Sequence, residues 1–476
     1  MLTRREFVQT AAAPALLRSQ RKPGDKPNLL FLWTDEQRAD TMAAYGNTRY
    51  RVPAMNRLAA ESVVFDRCYV SQPVCTPSRS TVMTGLWPHT SGCVKNNIPL
   101  RGETRTLPEL VADSAYRTGY MGKWHLGDEI FAQHGFEQWR SIEEYTAYFS
   151  AGRDRGARST YHEFLRRLGY QPDAKNNFSR NFAVSLPVEH TKPSYLAQEA
   201  SRFIIENRRE PWMLFVNTLE PHMPFTSRFN DLHEEREIEL PANYPGIPNT
   251  SEPAWYKRRR EQSKQPGGEA GWRRLIRNYA GLCSLVDQAV ARILWSLDVS
   301  GQAENTVVVY TSDHGDMMGS HSMYAKQVMY EEAVRVPLLM RVPFRRQRPL
   351  HVQQPVSHID LVPTLLDLLG RKDAAAGLPG QSLVPQLAGA VRPDNYVFLE
   401  WTGDVKDSGE GPSGRTVISP EGMKLVLYDT DQSLLFDRRR DPGEMNNLYG
   451  TTSDRHLRAR LTEWQKKTGD RFVLPG

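Results

Sequence analysis

Three apolar runs, each ending at polar or charged residues, constrain the fold most. Asn28-Leu29-Leu30-Phe31-Leu32-Trp33 ends in Thr34-Asp35-Glu36. Trp212-Met213-Leu214-Phe215-Val216-Asn217 leads to Glu220-Pro221-His222-Met223-Pro224. Thr306-Val307-Val308-Val309-Tyr310-Thr311 carries Ser312-Asp313-His314-Gly315-Asp316 at its tip. A strand that is apolar at nearly every position is buried on both faces, which predicts a parallel central sheet covered by helices. Helical patterns fall at 54–62, 107–115, 195–207 and 272–297, the last with apolar spacing through Leu275, Tyr279, Leu282, Val286, Val290 and Ile293. Further strands are expected at 116–122 and 337–340. In such α/β sheets functional groups gather at the carboxyl ends of the strands.

From about residue 391 the pattern changes. Short apolar stretches at 396–401, 416–419, 424–428 and 434–436, separated by turn-rich segments, read as a small antiparallel sheet, and 453–467 as a final helix. The chain of 476 residues therefore divides into a main domain, 25–390, and a smaller C-terminal subdomain, 391–476. The N-terminus has paired Arg4-Arg5 before Ala11-Ala12-Ala13-Pro14-Ala15-Leu16-Leu17, so 1–24 reads as a twin-arginine export signal and the protein as periplasmic or secreted. Beyond it no apolar run is long enough to span a membrane. Four cysteines in a chain this long do not make a disulfide scaffold.

The net charge is +6, with clusters at Lys257-Arg258-Arg259-Arg260, Arg345-Arg346 and Arg438-Arg439-Arg440. Such clusters read as solvated surface or as a basic rim for a polyanionic substrate. No stretch resembles a nucleic-acid docking motif. Residues 141–195 form a polar, aromatic-dotted excursion suited to a substrate entrance, and 226–270 a long surface loop.

The chemistry centres on Cys75-Thr76-Pro77-Ser78-Arg79, closed by Thr84-Gly85. Pro77 suits a first helical turn. That places Cys75 at or just before a helix N-terminus, with Arg79 one turn on and on the same face. Dipole and guanidinium then favour negative charge, making an anion site with a thiolate-prone cysteine. Asp35 and Glu36 at a strand tip suit a hard cation. Lys123 and His125, two apart on an extended segment, would point to one anionic group. His222 is held at a strand tip by its flanking prolines. His358 and Asp360 read as capping and packing residues.

Cys75-x-Pro77-x-Arg79 with Thr84-Gly85 resembles the type I, formylglycine-dependent sulfatase signature. Gly122-Lys123-Trp124-His125 resembles the second signature, departing in Ala115-Tyr116 where Gly-Tyr is usual. Pro221-His222-Met223-Pro224, Ser312-Asp313-His314-Gly315 with Lys326, and Asp441-Pro442-Gly443-Glu444 with Asn447-Leu448 match further family motifs in the family's order, over most of 25–450. The resemblance implies the fold of the alkaline phosphatase superfamily: α/β, a mixed, mainly parallel central sheet between helices. It also implies that a formylglycine-generating enzyme converts Cys75. The metal site would be Asp35, Glu36, Cys75, Asp313 and His314. Its oxygen-rich donors favour Ca²⁺, with Mg²⁺ the alternative. Glu36 replaces the family's aspartate or glutamine, and Gln37 is the other candidate there. Arg79, Lys123 and Lys326 would stabilise charge, His222 or Lys326 would protonate the leaving group, and His125 would act as base. Asp313 would help to deprotonate the attacking hydroxyl, and His321 would sit at the periphery.

The expected function is a sulfuric ester hydrolase releasing inorganic sulfate. A sulfated carbohydrate is the expected substrate, because Glu331-Glu332-Ala333-Val334-Arg335-Val336-Pro337 and the C-terminal motif resemble bacterial carbohydrate sulfatases. The alternatives are a phosphonate monoester or phosphodiester hydrolase of the same superfamily, and a non-catalytic protein that binds sulfated glycans.

Overall fold

The computed structural model describes residues 25–144, 154, 156–246, 252–345, 350–403 and 411–476. The export-signal reading of 1–24 lies outside the described residues. The apolar runs form the centre of one sheet: β1 (Asn28–Asp35), β2 (Arg117–Gly122), β3 (Trp212–Pro221) and β4 (Thr306–Ser312). The eight strands run in the order Leu350–Val352, Val63–Phe65, Leu338–Arg341, β4, β1, β3, β2, Gln138–Arg140. Leu338–Arg341 is antiparallel to both of its neighbours, and the other pairs are parallel. The sheet is thus mixed and mainly parallel.

Alternation along β1 builds both layers. Leu29, Phe31 and Trp33 join the core shared with the C-terminal sheet, whereas Leu30 and Leu32 join the core under two long helices. Those helices are Lys192–Glu206 and Glu269–Val299, the latter packed through Tyr279, Cys283, Val286, Val290 and Ile293. Among the described residues Glu269–Val299 is the one helix long and apolar enough to cross a membrane; 78% of its apolar 18-residue stretch is buried in the fold, as in a core helix.

Val397–Trp401, Gly414–Ile418, Met423–Tyr428 and Leu434–Asp437 form the small antiparallel sheet, in that order. Its outer face is covered by helix Arg455–Thr468 through Leu457, Leu461 and Trp464.

The stretch 226–270 is not simply a loop. Ala254–Gln262 is helical and buries Trp255 and Tyr256. Its basic run is only partly a solvated face. Arg260 forks onto Glu252 at 2.6 Å through both terminal nitrogens, and Arg259 reaches the carbonyls of Tyr324 and Lys326. These arginines brace the segment that carries Lys326. Arg438 is likewise buried among glutamates, its Nη2 2.9 Å from Glu331.

Candidate active site

Register brings the carboxyl ends of the central strands to one edge. Trp33 pairs with Asn217 and with Thr311, and Gly122 pairs with Asn217. Gly122 has φ +124°, and a Cβ there would lie 1.8 Å from the Asn217 carbonyl oxygen, so only glycine lets β2 close onto β3 before Lys123.

The helix Cys75–Thr84, α1, ends on this edge. Val74 is extended, Cys75 is its first residue, and Gly85 closes it with φ +70°. Every residue of α1 is buried although most are polar, so each must find a partner inside. Ser78 donates to the Asp313 carbonyl, Thr84 to Ser80 at 2.6 Å, and Thr81 and Ser71 share a hydrogen bond of 2.7 Å. Cys75 therefore sits at a helix start inside the protein, as the sequence predicts.

Its Sγ lies 3.2 Å from His314 Nε2, 3.8 Å from Asp35 Oδ1 and 3.9 Å from Lys123 Nζ. Burial and Asp35 push the thiol pKa up, but Lys123, Lys326 and His314 outweigh them and lower it. Lys123 Nζ also pairs with Asp35 Oδ2 at 2.5 Å. Asp35 itself is held well below the carboxylate range: burial opposes this, and Lys123, His222, Arg79 and Lys326 win.

Arg79 is engaged on every side. Its Nε donates to Asp313 Oδ2 at 2.9 Å, Nη1 to the Lys123 carbonyl at 2.7 Å and to Asn217 Oδ1 at 2.9 Å. Nη2 lies 3.1 Å from Asp35 and 2.8 Å from Asp313. The ring of Trp33 covers the guanidinium at 4.8 Å. All its donors point at protein, so Arg79 here fixes the two aspartates.

Asp313 Oδ1 accepts from the backbone N–H of Glu36 at 3.1 Å and of His314 at 2.8 Å. His314 Nδ1 donates to the Gly315 carbonyl at 3.0 Å, which aims Nε2 at Cys75. Burial disfavours the protonated His314, but Asp313 and Cys75 prevail and raise its pKa to about 9.

One ligand atom each from Asp35, Cys75, Asp313 and His314 lie within 4.8 Å of one another. Carboxylate oxygens, an imidazole nitrogen and a thiolate-prone sulfur aimed at one point fit a divalent cation, which would displace the His314 proton.

Glu36 belongs to a second group, with Asp35 and His222. It adopts φ +70°, rare for a residue with a side chain, secured by its N–H on Asp313 and its carbonyl on Tyr279 Oη at 2.8 Å. Its carboxylate is buried, and neither oxygen has a hydrogen-bond partner among the described residues. Lys326 Nζ approaches at 3.1 Å and His222 Nε2 at 3.4 Å without hydrogen-bond geometry. Burial, stronger than the pull of Lys326, raises the Glu36 pKa to about 7. Gln37 faces the other way, hydrogen-bonded to Thr34, Thr41 and Tyr310, so of the two candidates only Glu36 faces the site.

His222 Nδ1 donates to the Met223 carbonyl at 2.9 Å, and burial followed by Lys326 keeps its pKa well below the usual value. His125 departs from the extended segment expected of it. β2 ends at Gly122 and His125 takes φ +58°, so alternation does not set its direction. Its Nε2 is hydrogen-bonded to Asn97 Oδ1 at 2.9 Å, and its Nδ1 is buried without a partner among the described residues. Burial, Lys123 and Arg79 keep it neutral. Asn97 and Asn217 carry no sequence signal of their own. Glu129 also went unread, although it accepts from the N–H groups of Trp124 and His125 at 2.8 Å each.

His321 is buried and stacked on Tyr330 at 3.8 Å. His358 packs beneath β4 with Nε2 3.1 Å from Thr311 Oγ1, and Asp360 completes a capping box with Ser357.

An alkaline phosphatase-like sheet with a cation cluster, a cysteine and two lysines at its edge defines an ester hydrolase. The sulfatase family model matches residues 27–371, and a second model, the C-terminal region of N-sulphoglucosamine sulphohydrolase, matches 319–469. The chain belongs to the sulfatase family. It is 29% identical to an uncharacterized sulfatase, YidJ, of Escherichia coli, over 94% of this chain and 88% of that one. It is 26% identical to an N-acetylglucosamine-6-O-sulfatase of Bacteroides thetaiotaomicron, over 95% and 88%. In fold it resembles a phosphonate monoester hydrolase of Silicibacter pomeroyi, with TM-score 0.78 at 22% identity, covering 94% of this chain and 96% of that one.

Proposed function

We propose that this sulfatase acts on a sulfated saccharide and that Cys75 is converted to formylglycine by a maturing enzyme. The observation that carries the reading is the surroundings of Cys75: a helix start where Lys123, Asp35 and His314 converge on one sulfur. Asp35, Asp313, His314 and the residue-75 side chain would hold the cation, with Glu36 the nearest further carboxylate. Their hard oxygens favour Ca²⁺, with Mg²⁺ the alternative. Once bound, the cation would offset negative charge on the sulfate oxygens. The formylglycine hydrate would supply the hydroxyl that attacks sulfur.

The chain's own groups divide the remaining work. Lys123 and Lys326 place positive charge beside the ester oxygens. An alcohol leaving group needs a proton. His222 is neutral with its one N–H committed to Met223, so Lys326 is left as the donor. His125, neutral with a bare Nδ1, is suited to take the proton that restores the aldehyde. Arg79 keeps Asp35 and Asp313 in register.

The saccharide reading rests on the relative named for N-acetylglucosamine 6-sulfate and on the sulphoglucosamine-type C-terminal model. Residues 1–24 as an export signal would place the protein outside the cytoplasm, with 25–390 and 391–476 as its two parts.

A panel of sulfated mono- and disaccharides, an aryl sulfate, choline sulfate and a phosphonate monoester tests this reading. Sulfate release from one saccharide class is the expected result. Preference for the phosphonate would overturn it in favour of the related esterase activity, and glycan binding without turnover in favour of a binding protein.

A further inference from the structure

Lys326, the proton donor of the reading above, sits on a segment that does not hold its own shape. Ala325 and Gln327, on either side of it, take φ +63° and +77°, and His321 and Ser322 take +52° and +55°. Residues with side chains avoid this left-handed region, so neighbours must impose it.

The neighbours can be followed peptide by peptide. The Ala325 N–H donates to Asp316 Oδ1 at 2.9 Å, and the Ala325 carbonyl accepts from the Met317 N–H at 2.8 Å. The Gln327 carbonyl accepts from Trp255 Nε1 at 2.8 Å, and the Met329 N–H donates to Tyr256 Oη at 2.7 Å. Longer contacts add to these. Arg259 Nη2 lies 3.3 Å from the Lys326 carbonyl, and Ser263 Oγ accepts from the Tyr324 N–H at 3.4 Å. Trp255, Tyr256 and Arg259 all belong to helix Ala254–Gln262, and Ser263 follows it.

That helix is held in turn from the C-terminal subdomain. Pro253 stands at its N-cap and supplies no side-chain hydrogen bond. Asp431, on the connection between strands Met423–Tyr428 and Leu434–Asp437, supplies it instead. Its Oδ1 accepts from the Ala254 N–H at 2.9 Å and its Oδ2 from the Trp255 N–H at 3.0 Å. A carboxylate at a helix start satisfies open donors and complements the dipole. Tyr428 Oη and Tyr256 Oη share a hydrogen bond of 2.8 Å. The contacts thus run in one line. The small sheet caps the helix, the helix fixes the peptides around Lys326, and Lys326 Nζ stands 3.1 Å from Glu36 in the site.

We propose that the C-terminal subdomain sets the leaving-group acid: Asp431 and Trp255 are positioning residues that act on the reaction through Lys326. The proposal rests on the sulfatase reading above and gives the small sheet a part in its proton donation.

The test is leaving-group dependence, which a purely structural role would not move. An alcohol needs a proton in order to leave, whereas 4-nitrophenolate is stable as the anion. kcat is measured for the full chain with converted Cys75 on N-acetylglucosamine 6-sulfate, phenyl sulfate and 4-nitrophenyl sulfate. Trp255→Phe keeps a buried ring and removes the Nε1–H. It should lower kcat on the two poorer leaving groups at least about 10-fold more than on 4-nitrophenyl sulfate. Asp431→Ala should shift that ratio the same way by about threefold. Neither should add to the shift in a Lys326→Ala background, where the group they place is gone. Equal losses on all substrates, a shift that persists without Lys326, or a Lys326→Ala protein with no leaving-group dependence overturns the proposal. If Trp255→Phe fails to fold, Asp431→Ala decides by the same ratio, and if the saccharide is not cleaved, phenyl sulfate decides. Hydrogen exchange gives a reading that needs no turnover. Amides of 323–329 should exchange faster in Trp255→Phe than in the wild type, with those of Cys75–Thr84 unaltered; unaltered exchange at 323–329 also overturns the proposal. No sulfate from any substrate by the wild type, 4-nitrophenyl sulfate included, defeats the sulfatase reading beneath it.

Discussion

Two buried clusters of charge on this molecule are built to opposite ends. The cluster under the C-terminal sheet is ion-paired throughout, although Arg438 Nε, 3.7 Å from Glu444 Oε1, has no hydrogen-bond partner among the described residues. Lys424 Nζ lies 2.7 Å from Glu444 Oε1 and 3.3 Å from Glu331 Oε1, and Arg438 Nη2 lies 2.9 Å from Glu331 Oε2. Glu444 Oε2 accepts from the Glu331 N–H at 2.9 Å, and Arg438 donates to Tyr69 Oη at 2.9 Å. The cluster around Cys75 has cations too, yet it leaves both Glu36 oxygens and His125 Nδ1 without hydrogen-bond partners among the described residues. Buried charge that is paired fastens parts of a fold; buried charge with converging lone pairs calls for a ligand. The Asp441-Pro442-Gly443-Glu444 motif belongs to the first kind. It ties the small sheet to helix Glu331–Val334, close in sequence to Lys326.

The contrast breaks most clearly at Lys424. Lys424→Met removes the cation between two buried glutamates and should cost about 3–5 kcal/mol in urea unfolding. Turnover per folded molecule should persist; lost turnover with intact stability would place this cluster in the reaction. Lys123→Ala should do the reverse, lowering kcat about 100- to 1,000-fold, in the range found for removing one stabilising donor. Loss confined to KM would show that Lys123 only binds substrate.

Glu36→Gln sharpens the contrast. In chelator-treated protein it should raise stability by up to about 1 kcal/mol, because it neutralises a buried charge without hydrogen-bond partners. Wild type should gain about 2.7 kcal/mol at a Ca²⁺ concentration near 100 Kd, and Glu36→Gln less at the same concentration. A melting temperature indifferent to divalent cations would contradict the site.

The smallest effect lies outside both clusters. Burial lowers the His358 pKa to about 3. The unfolded chain, with histidine near 6.5, binds that proton first, so this stability is full above about pH 6.5 and drains as pH falls toward 3. At pH 5.5 the loss should be about 1 kcal/mol. His358→Leu should melt with a shallower acid dependence; an identical pH slope would rule the residue out.

The central strands were legible because burial on both faces leaves a run apolar at every position. Helix α1 was legible because Pro77 and Gly85 punctuate it. The motif residues were legible as a set, but not their contacts. Arg79 reads as a substrate-facing charge until Asn217, 138 residues away, and the two aspartates take up its donors. His125 reads as part of a strand, since nothing local announces φ +58° or the bond to Asn97. Helix Ala254–Gln262 was hidden because its only buried residues, Trp255 and Tyr256, are adjacent and give no helical period. What was missed in each case is a pairing across sequence distance, which local pattern does not encode.

If Cys75 carries the reaction, one comparison decides it: inorganic sulfate release by wild-type protein and by Cys75→Ala. The wild-type protein would first have its tryptic peptide 68–79 checked by mass for conversion of the cysteine. Release by the wild type and a fall of about 1,000-fold or more in Cys75→Ala, with unchanged melting, is the expected result. Equal release by the two proteins would contradict a reaction at Cys75.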